Sequence, residues 1–360
     1  MQSARYNFEE SMVEQSPEYV RLSLAASMTL GFTKGWFYRN AKLGCINLLM
    51  TYAGGCKANC AFCGLSSEKK AEGLGRNFIR VPWKTYRTSD VLAAIKNAPP
   101  HVHRVCISMI THPACREDVI KLCNEIHRRT NMGISLLISP TILHKNDLKG
   151  MKEAGADHIG VAIDAATPDL FDQLRGKTVG GPHRWQRYWD CYQESLEIFG
   201  NERAGVHLIC GLGETEKEMV IAMEKARKMG GTTHLFSFFP EKYSVMENVP
   251  PPPVGQYRRI QLARWLIDND LVRFSKMDFD DQGRITSFGI DEAMLESIIL
   301  SGKPFQTSGC PGKDGNVACN RPYGNEKPGL DIRNYPFPPE KEDLERIVDQ
   351  LYHYPAKPMG

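Results

Sequence analysis

The chain has 360 residues, 42% apolar and 24% charged, with a formal net charge of +3, enough apolar material for one large α/β domain or two ordinary ones. So small a charge gives no argument for a nucleic-acid partner, and no apolar run approaches the ~18 residues of a spanning helix, so no membrane partner is expected. The start, MQSARYNFEESMVEQ, shows no basic segment followed by an apolar one, so the expected location is the cytoplasm, where the eleven cysteines stay reduced and read as buried hydrophobes plus metal ligands.

In chain order, residues 1–44, with SPEYVRLSLAASMTLGF, read as a helical extension. CINLLMTY from Cys45 predicts a first strand that runs straight into a cysteine cluster. TSDVLAAIKNA predicts a helix with Thr88 or Ser89 as its N-cap, and RVCISMI from Arg104 a second strand. The helix REDVIKLCNEIHRRTN precedes a strand ISLLIS from Ile134; NDLKGMKEAGA, ended by Gly155, precedes HIGVAID from His158. RWQRYWDCYQESLEIFG precedes GVHLICGLG from Gly205, and ETEKEMVIAMEKARKMGG precedes THLFSFF from Thr233. Near-continuous apolar strands alternating with helices predict an α/β fold whose parallel sheet is buried on both faces. Six such units over residues 45–250 favour a partial TIM-like (β/α)6 barrel over an open doubly wound sheet. The prolines of VPPPPV, at 249–254, end the array. A helix GQYRRIQLARWLIDND and an irregular Gly-, Pro- and Asn-rich stretch at 304–339 belong to a C-terminal extension, residues 251–360.

TYAGGCKANCAFCGL, at 51–65, spaces Cys56, Cys60 and Cys63 as C-x3-C-x2-C. A tetrahedral zinc site would want a fourth protein ligand, and the nearest histidine, His101, is far along the chain. Three close thiolates without a local fourth ligand suit a four-iron cluster with one iron left open. Gly54 and Gly55 would let the backbone turn around such a body, and Ala58 and Ala61 would leave it room. The loop follows the first strand, at the end where an α/β barrel keeps its chemistry. The plain alternative is a chance cluster of core cysteines.

C-x3-C-x-aromatic-C after the first strand of a six-unit array resembles the radical S-adenosylmethionine (SAM) enzymes. The resemblance implies a 4Fe–4S cluster on Cys56, Cys60 and Cys63 whose open iron chelates SAM. An electron then cleaves SAM to methionine and a 5′-deoxyadenosyl radical, which takes hydrogen from an unactivated carbon. It also implies SAM-binding roles: Phe62 against the adenine, Ile209 and Gly211 of ICGLGETE beside it, and Glu214 opening the next helix. Asp164 of VAIDAATPDLFDQLRGK would bond the ribose hydroxyls, Arg175 the SAM carboxylate, and Ser108 and Thr111 of ISMITH the methionyl amino group. The plainer readings are a loop anchor for Phe62, a helix-start acid for Glu214, a strand-end cap for Asp164 and a solvated helix charge for Arg175.

TSGCPGKDGNVACNRPYGNEKPG, at 307–329, puts Cys310 and Cys319 in an irregular loop beside the hydrogen-bonding Arg321, Tyr323, Asn325 and Glu326. A structural zinc loop is one reading and a second 4Fe–4S cluster the sharper one, which two cysteines do not complete. Cys45 is the candidate third ligand and Ser308 a fourth, while Cys106, Cys123, Cys191 and Cys210 read as core. This tail, with INLLMTYAGGCKANCAFCGL, resembles the biotin-synthase-like lipoyl synthases of the two-protein type, found in archaea and sulfur-oxidising prokaryotes. In that family C-P-G-C-N-R-P keeps the two cysteines together, whereas KDGNVA here separates CPG from CNRP.

The resemblance implies sulfur insertion into the octanoyl chain of an octanoyl-lysyl lipoyl carrier protein or domain, with the second cluster supplying the sulfide. A second lipoyl synthase protein would complete the product, and an electron donor such as ferredoxin would feed the first cluster. Residues of HLFSFFP would line the acyl channel or else be buried strand. The alternative is another radical SAM reaction, a different sulfur insertion or a methyl transfer, with the second cluster used for electron transfer.

Overall fold

The computed structural model describes residues 14–66, 81–324, 326–330 and 332–354; Asn325 of the tail motif lies outside them. The chain opens with β1 (Tyr19–Ser23) and α1 (Leu24–Thr29), then β2 (Cys45–Leu49), β3 (Trp83–Arg87) and α2 (Thr88–Lys96). Four β/α repeats follow: β4 (Arg104–Ser108) with α3 (Cys115–Arg129), β5 (Gly133–Ile138) with α4 (Lys145–Glu153), β6 (His158–Asp164) with α5 (Pro168–Arg175) and α6 (Trp185–Phe199), and β7 (Ala204–Cys210) with α7 (Glu216–Lys228). β8 (Thr232–Ser237) and α8 (Val254–Asp268) close the array; β9 (Asp278–Phe279), β10 (Ile285–Ser287), α9 (Glu292–Leu300) and α10 (Lys341–Leu351) form the extension.

The sheet runs β3-β1-β2-β4-β5-β6-β7-β8. β2, β4, β5, β6, β7 and β8 are parallel neighbours, the six predicted strands in the predicted order. β3 and β8 are its edges, so the barrel is a partial one.

Two expectations fail. The N-terminal segment is not wholly helical: Val20 and Leu22 are fully buried while Tyr19 and Arg21 are not. That period of two belongs to a strand, and β1 pairs antiparallel with both β2 and β3. Neither Thr88 nor Ser89 caps α2, which starts after Arg87 without a side-chain cap. The Thr88 hydroxyl instead donates to the Pro17 carbonyl, 2.6 Å away, and ties the helix to the start of β1.

The inner face of the parallel strands explains why the barrel is hollow. An ordinary (β/α) barrel fills its middle with bulky branched side chains. Here such residues point outward: Ile46, Leu48, Val105, Ile107, Leu136, Val161, Val206 and Leu208 are all at most 1% exposed. Each strand keeps a half-buried residue on the opposite face, at Asn47, Cys106, Leu137, Ala162, His207 and Phe236. Those residues border open space in place of one another's methyl groups.

The C-terminal extension is fastened by two buried arginines of α8. Arg258 donates to the Ile332 and Arg333 carbonyls, and Arg259 pairs with Glu216 while donating to the Leu351 and His353 carbonyls. Each guanidinium thus satisfies loose chain ends with charge-assisted bonds. The tail is thereby folded back under the barrel.

Candidate active site

The three-cysteine loop leaves β2 at its C-terminal end and reaches across to the other side of the array. Lys57 N–H donates to the Thr111 carbonyl after β4, and Ala61 N–H to the Leu174 carbonyl at the end of α5. Gly55 takes a positive φ of 62°, where a side chain would strain the turn. Ala61 and Phe62 pack with Leu212, Phe238 and Met246. Each thiol faces one N–H donor: Ala58 N lies 3.5 Å from Cys56 Sγ, Leu65 N 3.4 Å from Cys63 Sγ, and Arg175 Nε 3.5 Å from Cys60 Sγ. Burial pushes the Cys60 and Cys63 thiols up, and Arg175 pulls Cys60 partly back. Bound cationic iron would reverse that burial effect.

These cysteines open on a first chamber, lined also by Phe62, Thr111, Asp164, Arg175, His183, Tyr188 and Ile209. Asp164 stands in the left-handed region, φ 65°, at the end of β6, and its carboxylate lies 3.1 Å from Arg175 Nη1. Burial raises the Asp164 carboxyl, opposed by Arg175. Arg175 is 5% exposed and is no solvated helix charge. It donates to the Ala162 and Ile163 carbonyls and lies over the Phe171 and Tyr188 rings. His183 Nδ1 meets Thr141 Oγ1 at 2.6 Å and the Tyr188 hydroxyl at 2.9 Å.

Three of the residues expected to contact SAM are not among those lining the first chamber. Ser108 lines a second chamber with Cys106, whose face of β4 it shares. Gly211 does not border the first chamber; its φ is +103° and a Cβ there would stand 2.5 Å from Pro252 Cδ. Glu214 does not open a helix: its carboxylate accepts from Gly211 N and Leu212 N at 2.7 and 2.9 Å. α7 begins two residues later with a Thr215–Glu218 capping box. Glu214 therefore shapes the loop from within.

A second thiol group occupies the other end of the lumen. Cys319 of the tail lies within electrostatic reach of Cys45 at the start of β2, of Cys106 in β4 and of Cys310, and Cys106 lies within reach of Cys45 and Cys310 as well. Asn47 Nδ2 and Arg321 Nη1 each lie 3.8 Å from Cys319 Sγ. A hydrogen bond from the Cys45 thiol, assisted by Arg321 and Asn47, lowers Cys319 to about 6, whereas burial raises Cys45 and Cys106. KDGNVA does not separate the tail cysteines in space. It forms a small hairpin: Pro311 bridges Val317, Gly312 N–H donates to Asn316 O, and Ala318 and Cys319 N–H both donate to Cys310 O. A Cβ on Gly309 would stand 2.3 Å from Cys319 O, and one on Gly44 2.6 Å from Ala318 O, so both glycines permit this close approach.

Ser308 is not turned toward the thiols; its hydroxyl accepts from Leu235 N on β8 at 2.8 Å. Cys106, read as core from its apolar flanks, lines the second chamber with Cys319. Cys123, Cys191 and Cys210 are fully buried core, as expected. Among the described residues no three His, Cys, Asp or Glu side chains stand close enough to hold a single metal ion. Both groups are thiol sets, the donors an iron–sulfur cluster takes. Sequence reasoning also missed His183, Tyr188 and His207, which carry no local motif.

A parallel α/β array with an N–H-supported three-cysteine loop at its C-terminal mouth defines an iron–sulfur enzyme of the SAM-cleaving class. The radical SAM superfamily profile matches residues 50–231, just over half of the chain, and the chain belongs to that superfamily. It is a radical SAM enzyme, and the superfamily implies a 4Fe–4S cluster and SAM. A biotin synthase from Maricaulis maris (strain MCS10) is 26% identical over 247 residues, covering 63% of this chain and 65% of that relative, less than two thirds of its length. A GTP 3′,8-cyclase from Microcystis aeruginosa is 27% identical over 112 residues, 31% of this chain and 33% of the relative. The hydrogenase maturase HydG from Carboxydothermus hydrogenoformans shares the fold, with a TM-score of 0.50 and 14% identity over 69% of this chain and 56% of that one. No helix among the described residues is long and apolar enough to cross a membrane.

Proposed function

We propose that this enzyme inserts sulfur into the octanoyl chain of an octanoyl-lysyl carrier protein or domain during lipoyl cofactor synthesis, as one of two cooperating lipoyl synthase proteins. The observation that carries the proposal is the second thiol group, Cys45, Cys106, Cys310 and Cys319, of which Cys106 and Cys319 line a chamber that shares Leu137, His207 and Phe236 with the chamber of the three-cysteine loop. The similarity to proteins named biotin synthase fits the same class of reaction. When bound, a cluster on the loop supplies the radical chemistry and a cluster on the second group would supply sulfide.

The chain's own residues have distinct tasks. Cys56, Cys60 and Cys63 hold the first cluster, with Ala58 N–H, Leu65 N–H and Arg175 Nε supporting their thiolates. Phe62, Thr111, Asp164 and Ile209 are the chamber residues for SAM. Cys45, Cys106, Cys310 and Cys319 hold the second cluster, and Arg321 and Asn47 stabilise the Cys319 thiolate. Phe236, Phe238 and Phe239 border the first chamber and keep it apolar, which suits exclusion of water from a radical. A ferredoxin-type donor and a cytoplasmic setting complete the proposal.

The test is anaerobic incubation of the reconstituted protein with SAM, a reductant and octanoylated carrier, read by mass. One added sulfur is expected, carrying a heavy-isotope label placed in the protein's own sulfide. Unlabelled product sulfur would remove the donor role. SAM cleavage with no mass change on any octanoylated carrier would move the assignment to a different radical SAM reaction.

A further inference from the structure

We infer that the acyl chain reaches the reaction centre through the second chamber, and that Leu137, His207 and Phe236 form the partition at which its reacting carbon stops. The identity of the chain rests on the octanoyl proposal above; the route does not. The two chambers have three lining residues in common, Leu137 from β5, His207 from β7 and Phe236 from β8. On one side of this partition stand the loop thiols with Asp164 and Arg175. On the other stand Cys106 and Cys319. A carbon at the partition therefore faces both thiol groups, as hydrogen removal followed by sulfur insertion at one carbon requires.

The first chamber is committed to the cluster loop and SAM, so the substrate needs another way in. The second chamber is lined by the apolar Leu24, Ala25, Met28, Phe37, Val81 and Trp83, with Arg321, Tyr323, Glu326 and Lys327 also bordering it. Most of those apolar residues lie in or next to β1, α1 and β3, the elements added before and beside the six-strand array. Trp36 marks the chamber's outer rim and is 97% exposed, an unusual position for the largest apolar side chain in a protein. An unbranched acyl chain offers no polar group for recognition, so the apolar side chains of this lining are the surface that can select it. Arg321 sits at the inner end, 4.2 Å over the Phe236 ring, and joins the partition to Cys319. Each buried methylene contributes roughly fourfold in affinity, so cutting the chain by two carbons should weaken binding on the order of tenfold.

Tryptophan fluorescence can locate the chain. Trp36 and Trp83 line the second chamber and no tryptophan lines the first. Reconstituted full-length protein is titrated with 8-bromo-octanoyl-lysine amide, whose bromine quenches tryptophan on contact. Saturable quenching is expected, largely lost in a Trp36→Phe/Trp83→Phe double variant. In parallel, Met28→Trp should cut deuterium transfer from a perdeuterated octanoyl-lysyl carrier into 5′-deoxyadenosine at least tenfold, with iron content unchanged. Deuterium transfer without quenching, or quenching indifferent to the tryptophan replacements, would overturn the route and leave the octanoyl substrate standing. Quenching without deuterium transfer would keep the route and overturn the substrate. Neither signal would overturn both.

Discussion

Gly160 and His207 meet on neighbouring strands of the lumen wall: a methyl built on Gly160 would stand 2.7 Å from His207 Nε2 and 3.4 Å from Leu137 Cδ1. The same imidazole nitrogen lies 3.2 Å from His234 Nδ1, so it has nowhere to retreat without losing that contact. Gly160→Ala should therefore overpack the partition, costing about 1–3 kcal/mol in chemical denaturation. Hydrogen abstraction from substrate should fall more than SAM cleavage does. A variant with unchanged stability and coupling would show that the ring moves freely and that the partition is soft.

At the mouth of the barrel, Cys56→Ala, Cys60→Ala or Cys63→Ala should each abolish 5′-deoxyadenosine formation from SAM and reductant. Arg175 ought to matter to folding as well as to chemistry. It is the countercharge of the buried Asp164 and the N–H donor to Cys60. Arg175→Ala leaves that carboxylate uncompensated, and a loss of about 3–5 kcal/mol is expected. Asp164→Asn/Arg175→Ala should recover part of it, because the stranded charge is gone. If any alanine variant of the loop cysteines cleaved SAM at the normal rate, the assignment of the loop would be wrong.

For the second thiol group, anaerobically reconstituted protein should hold about eight irons, the sum for two four-iron clusters. Cys106→Ala should lower the content toward about four, as should Cys45→Ala, Cys310→Ala and Cys319→Ala, while SAM cleavage persists. Ser308→Ala should keep its iron, since that hydroxyl serves Leu235 N–H. Iron lost in Ser308→Ala but kept in Cys106→Ala would reverse the ligand set.

The six parallel strands were legible because their outward residues are unbroken apolar runs, such as Ile46 with Leu48 and Val206 with Leu208. The three-cysteine loop was legible because all its ligands are local in sequence. β1 and β3 were not: each is five residues long, and β1 runs directly into α1, so its period of two is too short to stand out from the helical pattern. Cys106 was hidden for a different reason. Its flanks Val105 and Ile107 point outward while it points into the lumen, and only the closing of the sheet brings it to Cys319, 213 positions away. The Glu214 role was hard to read because a carboxylate immediately ahead of a capping box reads as part of it.

A pH effect follows from His183. It is 2% exposed beside Arg175 and Arg184, and burial first, then those two charges, lowers it to about 2. Its ordinary value is 6.5. Because the folded value lies below the unfolded one, the unfolded chain binds the proton first as pH falls. The contribution is fully present above pH 6.5 and declines from there downward until the folded group itself titrates near 2. Between pH 7.5 and 5.5 this one histidine should lower unfolding free energy by about 1.4 kcal/mol. His183→Gln keeps an amide for Thr141 and Tyr188 but cannot titrate, so its loss over the same interval should be smaller by about that amount. The comparison is the difference between two denaturation pairs, so effects common to both proteins cancel. Equal pH dependence in the two would mean that His183 takes up its proton in the folded protein, against a charge environment set by Arg175 and Arg184.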